Sequence, residues 1–313
     1  MNPRFSLYKV MKMEFVVQTK DLCKAFAGKN AVNHMSINIR RGDIYGFIGE
    51  NGAGKTTFMK MLCGLAEPTG GTIRLFESND LEKQRQLIGC RLKNPAIYPA
   101  MTAEQNLEVY RILMDIPGKN IVPELLDFVG LSNVGKKKTK DFSLGMKQRL
   151  MIAVAMIGNP EFLILDEPMN GLDPMGIKEV RDLLLKLNKE KKLTIIISSH
   201  ILDELSRMAT CYGVIHKGEL IDEFTSEELE CRSRRNIKIV VDNPGKAEQL
   251  LKTNVSANFE VTAGNVIILY DHLEEAASIN RMLVSSGIAV SAFISGEQDL
   301  EGFFMDMLGG KKS

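Results

Sequence analysis

Apolar positions along this chain follow two alternating rhythms over roughly its first 220 residues and a different order after them. "FLILDEP" (162–168) and "LTIIISSH" (193–200) are apolar at nearly every position, the pattern of parallel strands buried on both faces. "INIRRGDIYGFIG" (37–49) predicts one strand that ends in a glycine-rich turn. Between these runs the spacing changes. "KEVRDLLLKLNKE" (178–190) carries apolar residues at helical intervals, and "KTTFMKMLCGL" (55–65) predicts a helix closed by Gly64. Alternation of this kind means a parallel sheet covered by helices.

Residues 94–158 interrupt it. "TAEQNLEVYRILM" opens with Thr102 followed by Gln105, a capping box. "VPELLDFVGL" and "LGMKQRLMIAVAMIG" predict two more helices, so this stretch is a helical insert placed before the acidic strand. The lysine run Lys136–Lys138 within it is expected as a solvated loop. From Thr225 the order becomes strand, helix, strand, strand, helix, strand, ending in "LEGFFMDMLGG" as a last helix. That order suggests a small α+β domain of the split βαβ kind. The expected division is an arm (1–13), an α/β domain (14–224) and an accessory domain (225–313). Met11 or Met13 could be the true start.

The chain has 313 residues and a net charge of +1, with 44% apolar and 25% charged residues. No global field draws it to nucleic acid, and no apolar run reaches the roughly 18–20 residues that span a bilayer. Five scattered cysteines, with no CxxC and no metal spacing, suit a reducing compartment and buried thiols.

The chemistry is concentrated in three places. Gly49-Glu50-Asn51-Gly52-Ala53-Gly54-Lys55-Thr56-Thr57 fits G-x-x-x-x-G-K-[ST], between a predicted strand and a predicted helix. Backbone N–H groups of such a loop point at phosphates, Lys55 adds charge, and the Thr56 hydroxyl can ligate Mg²⁺. Asp166 ends an apolar strand, where it can hold Mg²⁺. Glu167 beside it either caps the next element or serves as base to an attacking water. His200 ends a second such strand on the same rim and could donate to a γ-phosphate oxygen; His34, His216 and His272 are expected to be structural. A second anion cradle is suggested at "KDFSLGMKQRL" (140–150), where a Ser-Leu-Gly turn opens a helix.

Together these residues resemble the nucleotide-binding subunit of an ABC transporter over about Val16 to Glu223. The P-loop, the acidic strand, "NGLDP" and the "SSH" histidine occur in that family's order, and "FSLGMKQR" stands at its signature. The resemblance implies a P-loop NTPase that binds ATP and Mg²⁺ and forms a homodimer around ATP. In it, Ser143 and the Gly145 backbone of one subunit would reach the nucleotide on the other subunit's P-loop. Asp173 would lie at the interface, and Phe26 would take the adenine-stacking place; on sequence alone, core packing is an equal reading for Phe26. The implied partner is a separate membrane permease, and the implied location is the cytoplasmic membrane face.

"SLGMKQR" and "NPAIYPAMTAEQNL" are similar to the bacitracin and lantibiotic exporter branch, which implies a peptide cargo. Three positions depart from the pattern. Leu144 and Met146 stand where the signature has glycine and glutamine. Lys93 stands where the family has Gln or Glu, and a charged lysine has no acceptor for a metal. Lys93 could contact phosphate, pair with an acid or face solvent. A soluble regulatory switch, or a scaffold with little catalysis, are the rival functions. Residues 94–110, with Ile97 and Tyr98, are the candidate permease contact; packing inside the insert is the alternative.

Overall fold

A computed structural model describes residues 14–92, 97–118, 120–200, 202–232, 236–255, 258–262 and 264–296. The arm 1–13, Lys93 with residues 94–96, and the expected last helix at 300–310 lie outside these residues. The chain divides into two compact units, Met1–Ser226 and Glu227–Ser313.

In the first unit the elements run β1 (Phe15–Phe26), β2 (Lys29–Met35), β3 (Asn38–Arg40), β4 (Ile44–Ile48), α1 (Lys55–Leu62), β5 (Gly70–Leu75), α2 (Leu81–Arg85), β6 (Ile88–Arg91), α3 (Ala103–Leu113), α4 (Ile121–Phe128), α5 (Leu144–Met156), β7 (Phe162–Asp166), α6 (Pro174–Lys191), β8 (Thr194–Ser199), α7 (Leu202–Ser206), β9 (Cys211–His216) and β10 (Glu219–Thr225). The main sheet has the order β10-β9-β4-β8-β7-β6. All its pairs are parallel except β9 with β10. Strands β4, β7 and β8 are buried at every position, as their unbroken apolar runs require. Helix α6 buries Val180, Leu183, Leu184 and Leu187, one stripe at helical spacing. Phe47 of β4 meets Phe58 of α1 at 5.2 Å between ring centroids, which seats the helix on the sheet.

One expected strand is two. "INIRRGDIYGFIG" breaks at Arg41–Asp43 into β3 and β4, which belong to different sheets. Asp43 Oδ2 accepts from the Arg40 N–H at 3.1 Å, and Gly42 turns the chain with φ 86°. Strand β3 joins an antiparallel sheet, β2-β1-β3 with β5 also on β1, that the alternation did not suggest. Helices α3, α4 and α5 pack on one another as the insert. The Thr102 capping box is formed in both directions, at 3.2 and 3.0 Å. Lys136 and Lys137 are exposed.

The second unit contains β11 (Asn236–Val241), α9 (Pro244–Asn254), β12 (Phe259–Thr262), β13 (Val266–Leu269), α10 (Ala276–Ser285) and β14 (Val290–Gly296), preceded by α8 (Ser226–Arg232). Its sheet is antiparallel in the order β12-β13-β11-β14, a split βαβ arrangement. Ala247, Leu251, Ile279 and Leu283 of the two long helices close its core against Ile237, Ile239 and Ile267.

Candidate active site

Parallel register brings the chemistry to one rim. Ile48, just before the P-loop, pairs with Ser199, and Asp166 pairs with Ser198. Residues 49–54 therefore leave the sheet beside Asp166, Glu167 and His200. Gly54 is the N-cap of α1, with φ 113° and no side-chain cap. A Cβ there would strike the Ala31 carbonyl, so only glycine fits both the space and the dihedral. The first N–H groups of α1 are thus left for an outside acceptor, where the helix dipole is positive. Lys55 is 5% exposed; its Nζ donates to the Gly49 carbonyl and, at 3.1 Å, to that of Glu50. The same Nζ lies 3.6 Å from Glu167 Oε1.

Asp166, 2% exposed, accepts from Thr56 Oγ1 at 2.8 Å and from Ser198 Oγ at 2.6 Å. Thr56 and Asp166 thus meet, a hydroxyl and a carboxylate of the hard-oxygen kind that suits Mg²⁺. Glu167 has a left-handed backbone, φ 50°. Its N–H donates to Ser198 Oγ at 2.8 Å, and its Oε2 lies 2.9 Å from His200 Nδ1. Glu167, His200, Ser199 and Glu204 line a cavity of about 190 Å³. Burial pushes the Glu204 carboxyl above its usual range, and His200 opposes that shift.

Ser143 is the N-cap of α5, its Oγ accepting from the Met146 N–H at 3.2 Å. Asp173 caps α6 in the same way, accepting from Gly176 at 2.8 Å. The two turns adjoin: a Cβ on Gly145 would lie 3.8 Å from Gly176 Cα. Ser143 and Asp173 are exposed, as are Leu144 and Met175, which leaves this double turn on the surface. Phe26 is 53% exposed, which removes the core-packing reading, and Lys24 Nζ sits 5.0 Å from its ring centroid. Its hairpin is held to the P-loop region, since Asn33 N–H donates to Gly218, whose own N–H donates to Ala53. Tyr98 is 39% exposed, while its backbone is pinned by Asn106 and Thr139.

One expectation is corrected. The cysteines are not uniformly buried: Cys90 is exposed, because it takes an outward position on the short strand β6. His216, expected to be structural, has its Nδ1 3.8 Å from Glu50 Oε2, because β9 ends beside the P-loop. Sequence reasoning also missed Ser198 and Arg91. Ser198 was visible as the first polar residue after "TIII", and Arg91 as a lone charge in "IGCRL".

A phosphate cradle at a strand–helix junction, with a buried carboxylate on the neighbouring strand end, defines a P-loop NTPase. Comparison with known proteins narrows the class. The ABC transporter family description matches residues 32–170. The bacitracin transport ATP-binding protein BcrA of Bacillus licheniformis is 41% identical over 302 residues, covering 95% of this chain and 99% of that one. The lantibiotic transport ATP-binding protein SrtF of Streptococcus pyogenes is 41% identical over 69% of this chain and 94% of its own length. Among solved structures, an ATP-binding cassette in a dimeric post-hydrolysis state with ADP and phosphate is similar at TM-score 0.61 and 25% identity, covering 67% of this chain and 98% of that one. The chain belongs to the ABC transporter ATP-binding proteins, and it is an ATPase. Among the described residues, no helix is long and apolar enough to cross a membrane.

Proposed function

We propose that two copies of this chain close around two ATP molecules and that the cycle of closure and release drives a separate membrane-spanning permease. The observation that carries this reading is the separation of two helix N-termini. That of α1 lies among Lys55, Thr56 and Asp166, whereas that of α5 stands on the surface. ATP phosphates would rest on the backbone of residues 49–54, with Lys55 as the cation and Thr57 following in the first turn. Phe26 would stack on the adenine. Ser143 and Gly145 of the second copy would close over the γ-phosphate, with Asp173 beside them at the interface.

For hydrolysis, Glu167 would take the proton of a water that attacks the γ-phosphorus, while His200 orients Glu167 and donates to a γ-phosphate oxygen. Thr56 and Asp166 would hold Mg²⁺, which supplies charge neutralisation at the phosphates. The relatives' names favour a peptide antibiotic such as bacitracin as cargo, and binding to the permease would place the chain at the cytoplasmic membrane face. Glu167→Gln tests the core of this. Turnover should fall by about 10²–10⁴-fold with ATP binding kept and dimers trapped by ATP, in complex with a polytopic membrane protein in the native host. Wild-type turnover in that variant removes Glu167 as the base.

A further inference from the structure

Arg91 is a charged group at this rim to which the proposed chemistry gives no role. It ends β6, the edge strand beside the fully buried β7, and is 8% exposed. Burial alone would disfavour the guanidinium, and the carboxylates of Asp166 and Glu167 hold it charged. Its Nη1 donates to the backbone carbonyl of Asp166 at 2.6 Å. That carbonyl belongs to the peptide joining Asp166 to Glu167. The N–H of the same peptide donates to Ser198 Oγ at 2.8 Å, and Ser198 Oγ in turn donates to Asp166 Oδ1 at 2.6 Å. One peptide plane is therefore gripped on both edges, by a cation at its C=O and by a hydroxyl at its N–H.

The grip falls where it matters. Glu167 leaves this peptide with φ 50°, a conformation that side chains other than glycine resist. A rotation of the plane would swing the carboxylate away from His200 Nδ1 and Lys55 Nζ, which now lie at 2.9 and 3.6 Å from its two oxygens. A charge-assisted bond to a carbonyl, between groups as buried as Arg91 and Asp166, is a strong restraint on such rotation.

We propose that Arg91 is a positioning residue for ATP hydrolysis: by holding the Asp166–Glu167 peptide it fixes the aim of the Glu167 carboxylate. This rests on the reading of Glu167 as the base. Arg91 touches no phosphate in this scheme, so its loss should spare ATP binding and strike the chemical step.

Arg91→Met should lower kcat by about 100-fold, the effect of misplacing a catalytic group by roughly 1 Å, with the KM for ATP within about twofold of wild type. Arg91→Lys, which keeps a charged donor, should recover most of that loss. Combined with Glu167→Gln, Arg91→Met should subtract nothing further from the residual single-turnover rate, because both act through one group. Unchanged kcat in Arg91→Met overturns the proposal, as does a matching loss of ATP affinity or an equal further drop in the Glu167→Gln background. If Arg91→Met does not fold, as judged by circular dichroism and Tm, Arg91→Lys decides. A folded Lys variant near wild-type kcat supports the proposal, and one that loses ATP affinity and kcat together refutes it. Wild-type turnover in Glu167→Gln would instead remove the base itself. A dead Glu167→Gln beside a fully active Arg91→Met removes Arg91 alone.

Discussion

Helices α1 and α5 begin in opposite ways. Both expose the unpaired N–H groups and positive dipole end of any helix. Helix α1 starts from Gly54, with no side chain to fill its own donors, and its first residue, Lys55, is buried at 5% exposure. Helix α5 starts from Ser143, whose hydroxyl already accepts from Met146, and its first residue, Leu144, is 45% exposed. Around the first, the chain gathers a cation, a hydroxyl and two carboxylates of its own. Against the second lies another self-capped turn, at Asp173. In the proposed dimer the first would be half of a site and the second would close over the nucleotide of the other copy. On that reading the two helix starts of one chain serve different nucleotides.

The comparison can be broken from either side. Lys55→Ala should produce the largest effect, weakening ATP binding by about 100-fold in calorimetry, because a charge-assisted contact in a buried setting is lost. Ser143→Ala should behave differently. Removing the cap costs about 1 kcal/mol, visible as a lower Tm, while a single copy binds ATP as before and turnover falls about tenfold. Equal losses of ATP affinity in the two variants would erase the distinction. The smallest effect concerns Glu204, which lines one cavity with Glu167 and His200. Its folded-state pKa is raised above the ordinary 4.5 by burial. The stability held by its protonated form is present below the unfolded value and lost as pH rises through the raised one. Glu204→Gln should therefore gain stability relative to wild type as pH is raised from 4 to 7, followed by thermal unfolding. A constant difference across that range would contradict the assignment.

Much of the site could be read from residue type and spacing alone, because its elements are local. A glycine-rich turn before a helix, an acid after four apolar residues and a serine before "LGM" each declare themselves within a few positions. What stayed hidden depends on pairing between distant strands. Ser198 matters because β8 pairs with β7 in a register that sets it against Asp166, and Arg91 matters because β6 flanks β7. No local pattern reports such register. The left-handed backbone of Glu167 was equally invisible, since glutamate gives no hint of it. In the fold, Arg40, Arg41, Gly42 and Asp43 read as the middle of one strand because apolar residues flank them on both sides. The antiparallel sheet was missed for a related reason: β1 has register shifts that blur its alternation. The exposure of Phe26 could not be inferred, because an aromatic at a strand end suits core and surface equally.

The central claim, that each ATP is held by the P-loop of one copy and the Ser143 turn of another, is tested most directly by mixing two dead proteins. Lys55→Ala lacks a working P-loop, and Ser143→Arg blocks the lid. Each alone should be inactive. Mixed in equal amounts, they form dimers of which about half are hybrids with one intact composite site, so turnover should rise to about a quarter of wild type. A mixture as inactive as its components, although hybrid dimers are detected, would contradict the claim.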